Sequence, residues 1–158
     1  MATPLIYIVA GKFWACFLFC LLVTGVVTTA AIGWYEIAID DFAAFSLATL
    51  AAATFFSGAM VLLSVLGKRE QAVSVSGWAV FLVLAMIGGG MVPYFAMPEW
   101  MRTLGKYSPV RWGIDAFEAA VWKDFSWAIA GRADLYLVVV GLMAALIGAR
   151  VLAVTARA

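Results

Sequence analysis

The sequence predicts an all-α fold, a polytopic membrane helical bundle of four transmembrane helices with a re-entrant or amphipathic helical hairpin between the third and the fourth. Of the 158 residues, 66% are hydrophobic and only 12% are charged, whereas a typical soluble domain has about 25% charged residues. The mean hydropathy is +1.07. Four stretches are also long enough to cross about 30 Å of hydrocarbon as a helix. Lipid is therefore the expected solvent for much of the surface.

Four uncharged or nearly uncharged stretches define the spans of a single membrane domain, 1–158. The predicted spans are residues 13–35, 43–67, 72–95 and 134–155. Gly67 is placed to end the second span, and Asp134 is placed as the N-cap of the fourth. Arg150 lies near the end of the fourth span, where a long side chain can reach the head groups.

The segment 97–133 is predicted to hold two short amphipathic helices. Pro98 is well placed as the first residue of one helix, and Ser108-Pro109 is typical of an N-cap followed by the first residue of another. Behind Pro109, apolar residues recur at helical spacing; they are Val110, Ile114, Phe117 and Val121. Helices of this kind lie in the membrane interface or dip into it.

Three glycines and a proline interrupt the third span. Gly88, Gly89, Gly90 and Pro93 should break a membrane helix, and irregular backbone at membrane depth occurs only where protein covers it or water reaches it. In one interpretation the helix ends near Ile87 and the glycines form a surface turn. That helix would barely span the bilayer, so we favour a re-entrant or surface-lying hairpin.

Small residues form ridges on two spans and allow close packing of helices. One ridge is Gly141, Ala145 and Ala149, and the other is Ala52, Ala53, Ser57 and Gly58.

The composition excludes several classes of function. A net charge of +1 is too small for the basic field that nucleic-acid binding requires, and the absence of histidine excludes imidazole-based catalysis and histidine-based metal sites. Cys16 and Cys20 fit a role as small apolar residues, with a disulfide or a two-thiol metal site as the alternative. Asp115 and Glu118 fit the solvated face of a helix, with Arg111 supporting Asp115. We therefore expect no catalytic, cofactor-binding or metal-binding residues.

Several motifs together resemble the permease subunits of ABC-2 type transporters. The stretches GGGMVPYFAMPEW at 88–100 and YSPVRWGIDAF at 107–117 are similar to the broken end of the family's fifth helix and its external re-entrant region. Residues 3–12 are similar to the entry into the third helix, and the loop 67–71 to the cytoplasmic turn between the fourth and fifth. The similarity covers nearly the whole chain.

The resemblance implies a transmembrane subunit of an ATP-binding-cassette exporter. It would form the substrate pathway in the plasma (inner) membrane as a dimer with a second permease copy, with both termini cytoplasmic and 97–133 outside. ATP would be used by a separate ATPase subunit, since the chain has no phosphate-binding loop. The four predicted spans would correspond to the last four of the family's six transmembrane helices, so the chain is expected to be the C-terminal part of a permease. Relatives export drugs, lipids, peptides and ions, as in multidrug efflux.

The resemblance also assigns two groups of candidate residues. The re-entrant or gate candidates are Gly88, Gly89, Gly90, Pro93, Pro98, Trp100, Pro109, Trp112 and Asp115. The candidates that face the ATPase are Lys12, Lys68, Arg69 and Glu70. Charge does not decide the orientation, because the ten basic residues divide evenly between the two sides, although the compact Lys68-Arg69 pair favours termini inside.

Two other functions remain open. The chain could be a non-transporting scaffold or assembly subunit, with the amphipathic helices as its docking surface. An intramembrane enzyme is disfavoured, because the spans carry no cluster of ionisable residues.

Overall fold

The structure, a computed structural model, describes residues 5–37, 39–66, 70–92, 94–121 and 127–155. Within these ranges the regular structure is helical. The α-helices are α1 (Leu5–Tyr35), α2 (Phe42–Leu66), α3 (Glu70–Gly88), α4 (Glu99–Gly105), α5 (Pro109–Val121) and α6 (Trp127–Thr155), and a short 3-10 helix covers Tyr94–Ala96. The prediction of an all-α membrane bundle is confirmed.

Within the described ranges, three helices are long and apolar enough to cross a membrane, and they are α1, α2 and α6. The predicted third span is shorter than expected: α3 has 19 residues and ends at Gly88, not near residue 95. The predicted start of the fourth span is also wrong. Asp134 lies inside α6, because the small and apolar residues from Trp127 to Ala133 continue the helix past the single charge of Arg132.

Aromatic and basic side chains mark where a bilayer would lie. The exposed Trp14 and Trp34 are about twenty residues apart on α1, which is about 30 Å and matches the hydrocarbon thickness. We call the side that carries Leu5 and Thr155 the terminal side and the opposite side the re-entrant side. Lys12 lies at the terminal side, where its Nζ donates to Ser64 Oγ at 3.4 Å.

The core of the bundle is the contact between α2 and α6, which run parallel to each other. Gly58 of α2 meets the backbone of Gly141, and further along Gly148 of α6 meets the backbone of Leu62. A Cβ atom on Gly141 would lie 2.6 Å from Phe55 Cα. Backbones that approach this closely require glycine at the crossing. Parallel α2 and α6 mean that α3 must return the chain across the bundle.

The first helix packs at the periphery of the bundle. It runs antiparallel to α2, with Lys12 near Ser64 at one end and Ile32 and Phe42 lining one cleft near the other. None of the residues in the most apolar stretch of α1 is buried. The thiols of Cys16 and Cys20 are free and half-buried among apolar side chains, as their interpretation as apolar residues predicts.

Candidate functional site in the re-entrant segment

The glycine cluster ends α3 with an abrupt turn. Gly89 has φ of 97°, a left-handed conformation that side chains other than glycine rarely adopt. The Gly90 N–H donates to the Ala85 carbonyl at 2.9 Å, which closes the last turn of the helix. The expected break at the glycines is therefore present, and it consists of a helix end followed by a reversal of the chain.

The short helix α4 packs against this helix end. A Cβ on Gly105 would lie 2.6 Å from the Ile87 carbonyl oxygen, so α4 touches the backbone of α3. Met97 precedes α4 and is 2% exposed, with its methyl group beside Gly89. Arg102 Nε donates to the Met97 carbonyl at 2.9 Å. Two glycines and one buried methionine thus hold α4 on the end of α3.

The fifth helix begins near the middle of the bundle and ends on the re-entrant side. Near its end, the Asp41 N–H donates to the Ala120 carbonyl at 3.2 Å, at the start of α2. The Phe45 and Phe117 rings lie 5.4 Å apart. At its beginning, Pro109 lines a cavity together with Phe55, near the midpoint of α2.

Because α5 runs alongside α2 over about half its length, it re-enters the bundle and does not lie on its surface. Ser108 fixes this position, since its hydroxyl donates to the Leu84 carbonyl of α3 at 2.9 Å. Ser108 precedes α5 as predicted, and its hydroxyl donates to α3. The last carbonyl groups of a helix have no partner within the helix, and the Ser108 hydroxyl provides a partner for one of those in α3.

The buried face of α5 differs from the predicted apolar face. Ala116 and Ala120 are each 1% exposed, and Ala116 shares a core cluster with Ala48 and Ala133. Small side chains are buried because α5 sits close to both α2 and α6. The larger residues Val110 and Ile114 instead line the cavity between these helices.

Trp112 links α5 to α6. Its ring stacks on Tyr136 with centroids 5.0 Å apart, and its Nε1 donates to the Lys106 carbonyl at 2.9 Å. The Tyr136 hydroxyl donates to the Tyr107 carbonyl at 3.0 Å. These hydrogen bonds provide donors for two backbone carbonyl groups in the turn between α4 and α5. Membrane lipid could not provide such donors.

A charged pair lies on the same stretch of α5. Arg111 Nη2 is 2.7 Å from Asp115 Oδ1, and both side chains are about one-fifth exposed. The Arg111 guanidinium also lies beside Gly89, which joins the pair to the turn after α3. The i,i+4 support that the sequence predicts for Asp115 is confirmed.

We expect Arg111→Met to destabilise the protein by about 1–3 kcal/mol, because it leaves the Asp115 carboxylate half-buried without its partner. The double variant Arg111→Met/Asp115→Leu should recover part of that loss. Reversible unfolding in mixed micelles measures both, with Glu99→Gln on exposed α4 as the control. Strictly additive effects of the two substitutions would contradict the coupling.

The structure brings part of the gate set together. Gly88 and Gly89 meet the start of α5, where Pro109, Trp112 and Asp115 follow each other along the helix. Two other described candidates, Trp100 and Pro98, lie outside this contact. Trp100 is 60% exposed on α4, Pro98 is the extended residue before α4, and Pro93 lies outside the described residues.

The structure describes two of the four residues that were predicted to face the ATPase. Lys12 lies at the terminal side, and Glu70 is the first residue of α3, on the same side. Lys68 and Arg69 lie outside the described residues. The described members are therefore on the side of the bundle opposite to the re-entrant segment.

Two residues that hold the re-entrant segment in place, Gly105 and Met97, could not be predicted from the sequence. Gly105 is typical of a helix end, and nothing in its neighbours indicates the close approach to Ile87. Met97 is apolar like its neighbours Trp100 and Leu104, and nothing in the sequence indicates that it is buried while they are exposed.

Comparison with known protein families identifies the chain's relatives. The model of the ABC-2 type transporter membrane family matches residues 1–122, from the start of the chain to the end of α5. No curated protein and no solved structure matches the chain. The matched region contains the broken end of α3, the contact of α4 with α3 and the contact of α5 with α2, and it covers well over half of the chain. The chain therefore belongs to the ABC-2 type transporter family, whose members are the membrane-embedded permease components of ABC transporters.

Proposed function

We propose that the chain forms the substrate pathway of an ATP-driven exporter, together with a separate ABC ATPase subunit and a second permease copy. The family match over residues 1–122 carries this proposal. The arrangement of the helices supports it. The starts of α1 and α3 and the ends of α2 and α6 meet on the terminal side, where a cytoplasmic ATPase could bind them, and the re-entrant segment occupies the other side.

The proposed orientation places the terminal side in the cytoplasm of the cell membrane. Lys12 and Arg150 flank that side, whereas Glu36, Asp40 and Asp41 lie in the loop at the other. Lys68 and Arg69 fall in the short stretch of sequence between α2 and α3, and basic residues in short loops favour the cytoplasmic side. In this orientation the re-entrant segment closes the external end of the pathway.

The test is purification of the tagged chain from its native membrane in mild detergent. We expect an ABC ATPase to co-purify and to hydrolyse ATP faster with the permease than alone. A chain that binds no ATPase, or that leaves ATP hydrolysis unchanged, would overturn the proposal.

Reconstitution separates transport from a scaffold role. Proteoliposomes that contain the complex should show ATP-dependent flux of at least one candidate solute, and a catalytically inactive ATPase variant is the control. An assembled, ATP-hydrolysing complex that moves none of the drugs, lipids, peptides or ions tested would favour the scaffold.

A further inference from the structure

The third helix ends inside the membrane, below the boundary on the re-entrant side. The exposed rings of Trp34 and Phe42 mark that boundary at the end of α1 and the start of α2. Phe56 lies about 21 Å further along α2, and the Phe81 ring of α3 is 5.3 Å from its ring. From Phe81, α3 rises only about 10 Å before it ends at Gly88. The end of α3 is therefore about 10 Å below the boundary.

The turn between α4 and α5 lies at a similar depth. The Tyr107 carbonyl accepts a hydrogen bond from the Tyr136 hydroxyl at 3.0 Å. Leu137, the next residue of α6, packs against Phe55 in one core cluster, and Phe55 lies near the midpoint of α2. Gly105, at the end of α4, meets the backbone in the last turn of α3. The short helix α4 therefore lies across the end of α3, within the depth of the bilayer.

The faces of α4 meet different surroundings. Gly105 is buried against α3. Trp100 and Leu104, one turn apart, are 60% and 51% exposed and form an apolar face. We call the remaining exposed face the polar face of α4, and it consists of Glu99, Thr103 and Lys106. Lipid suits the apolar face, whereas the polar face needs another environment.

Lipid cannot solvate the polar face at this depth. Ionised Glu99 and Lys106 would lose their hydration in hydrocarbon, and charged side chains within a membrane face protein or a water-filled cavity. Long side chains can reach up to the head groups, but the short side chain of Thr103 stays at the depth of the α4 backbone. A protein partner would have to pair a carboxylate and an ammonium in one contact, whereas water solvates both.

We infer that a water-filled vestibule extends from the re-entrant side into the bilayer as far as the polar face of α4. The apolar face, with Trp100 and Leu104, separates this vestibule from lipid. The hydrocarbon barrier at this place is thereby reduced to the part of the bilayer between the end of α3 and the terminal side. Polar and charged solutes reach α4 from the re-entrant side. The vestibule needs no ATPase, so the inference holds or fails independently of the proposed transport.

The test compares two neighbouring residues of α4 in nanodiscs, which leave both sides of the bilayer accessible. In a Cys16→Ala/Cys20→Ala background, Thr103→Cys should react with a membrane-impermeant maleimide at least about tenfold faster than Leu104→Cys, because only the first thiol meets water. Slow reaction of both thiols would mean that lipid or a second copy of the chain covers the polar face, and it would overturn the inference. Rapid reaction of both would place α4 on the membrane surface and would also overturn it.

A depth measurement separates a vestibule from a surface helix without relying on reactivity. A nitroxide attached to Leu104→Cys reports its immersion through its collision rates with oxygen and with a water-soluble nickel complex. We expect it to lie about 10 Å deeper than the same label on Phe42→Cys at the boundary. On Thr103→Cys the label should collide with the nickel complex more often than it does on Leu104→Cys. Equal depths at positions 104 and 42, or equal nickel collisions at 103 and 104, would contradict the vestibule.

Discussion

Gly141→Ala is expected to destabilise the bundle by about 3 kcal/mol, the upper end of the cost of overpacking. The added Cβ would lie 2.6 Å from Phe55 Cα and 2.7 Å from the Thr54 carbonyl oxygen. Both are backbone atoms, so no side chain can rotate away, and α6 must move from α2. Unfolding in increasing mole fractions of dodecyl sulfate measures the loss.

The matched control is Gly131→Ala on the same helix. A Cβ on Gly131 meets nothing within 4 Å, and alanine favours a helix interior over glycine by about 0.5–1 kcal/mol. We expect this variant to be as stable as the unmodified chain or slightly more so. Equal stability of the two alanine variants would show that α2 and α6 do not cross at Gly141.

Gly105→Val is expected to release the re-entrant segment from the end of α3. Its Cβ would lie 2.6 Å from the Ile87 carbonyl oxygen, and valine adds two methyl groups to that collision. Amide hydrogen exchange across α4 and α5 should accelerate at least about tenfold, since the segment would open without unfolding α2 or α6. Exchange followed by mass spectrometry resolves the two regions.

Gly113→Ala is the control for that exchange experiment. Its Cβ meets open space, so protection of α5 should stay the same or increase. If Gly105→Val leaves the exchange of α4 and α5 unchanged, the contact between Gly105 and Ile87 does not hold the segment.

The positions of the helices could largely be predicted because their signals are local. A run of apolar residues defines α1 and α2 wherever they pack, and the glycines at 88–90 break a helix through their own backbone freedom. Asp134 misled the prediction for the same reason. A polar residue before an apolar run is typical of an N-cap, yet the residues before it also favour a helix.

The contacts between helices could be predicted only in part. The sequence indicates a ridge of Gly141, Ala145 and Ala149, and the structure uses Gly141 and Gly148 against α2. The residues of a ridge follow from helical periodicity, but its partner and rotation depend on how α2 and α6 cross. For the same reason the buried face of α5 could not be predicted. Its small side chains are buried because α2 and α6 approach it from different sides.

The most direct test of the account asks whether α5 lies inside the bundle. In a Cys16→Ala/Cys20→Ala background, Ala48→Cys and Ala116→Cys place two thiols in one buried cluster of α2 and α5. We predict that this pair cross-links in intact membranes and that Ala116→Cys alone resists a membrane-impermeant maleimide. A segment on the membrane surface would give the contradicting result: no cross-link and rapid labelling of Ala116→Cys.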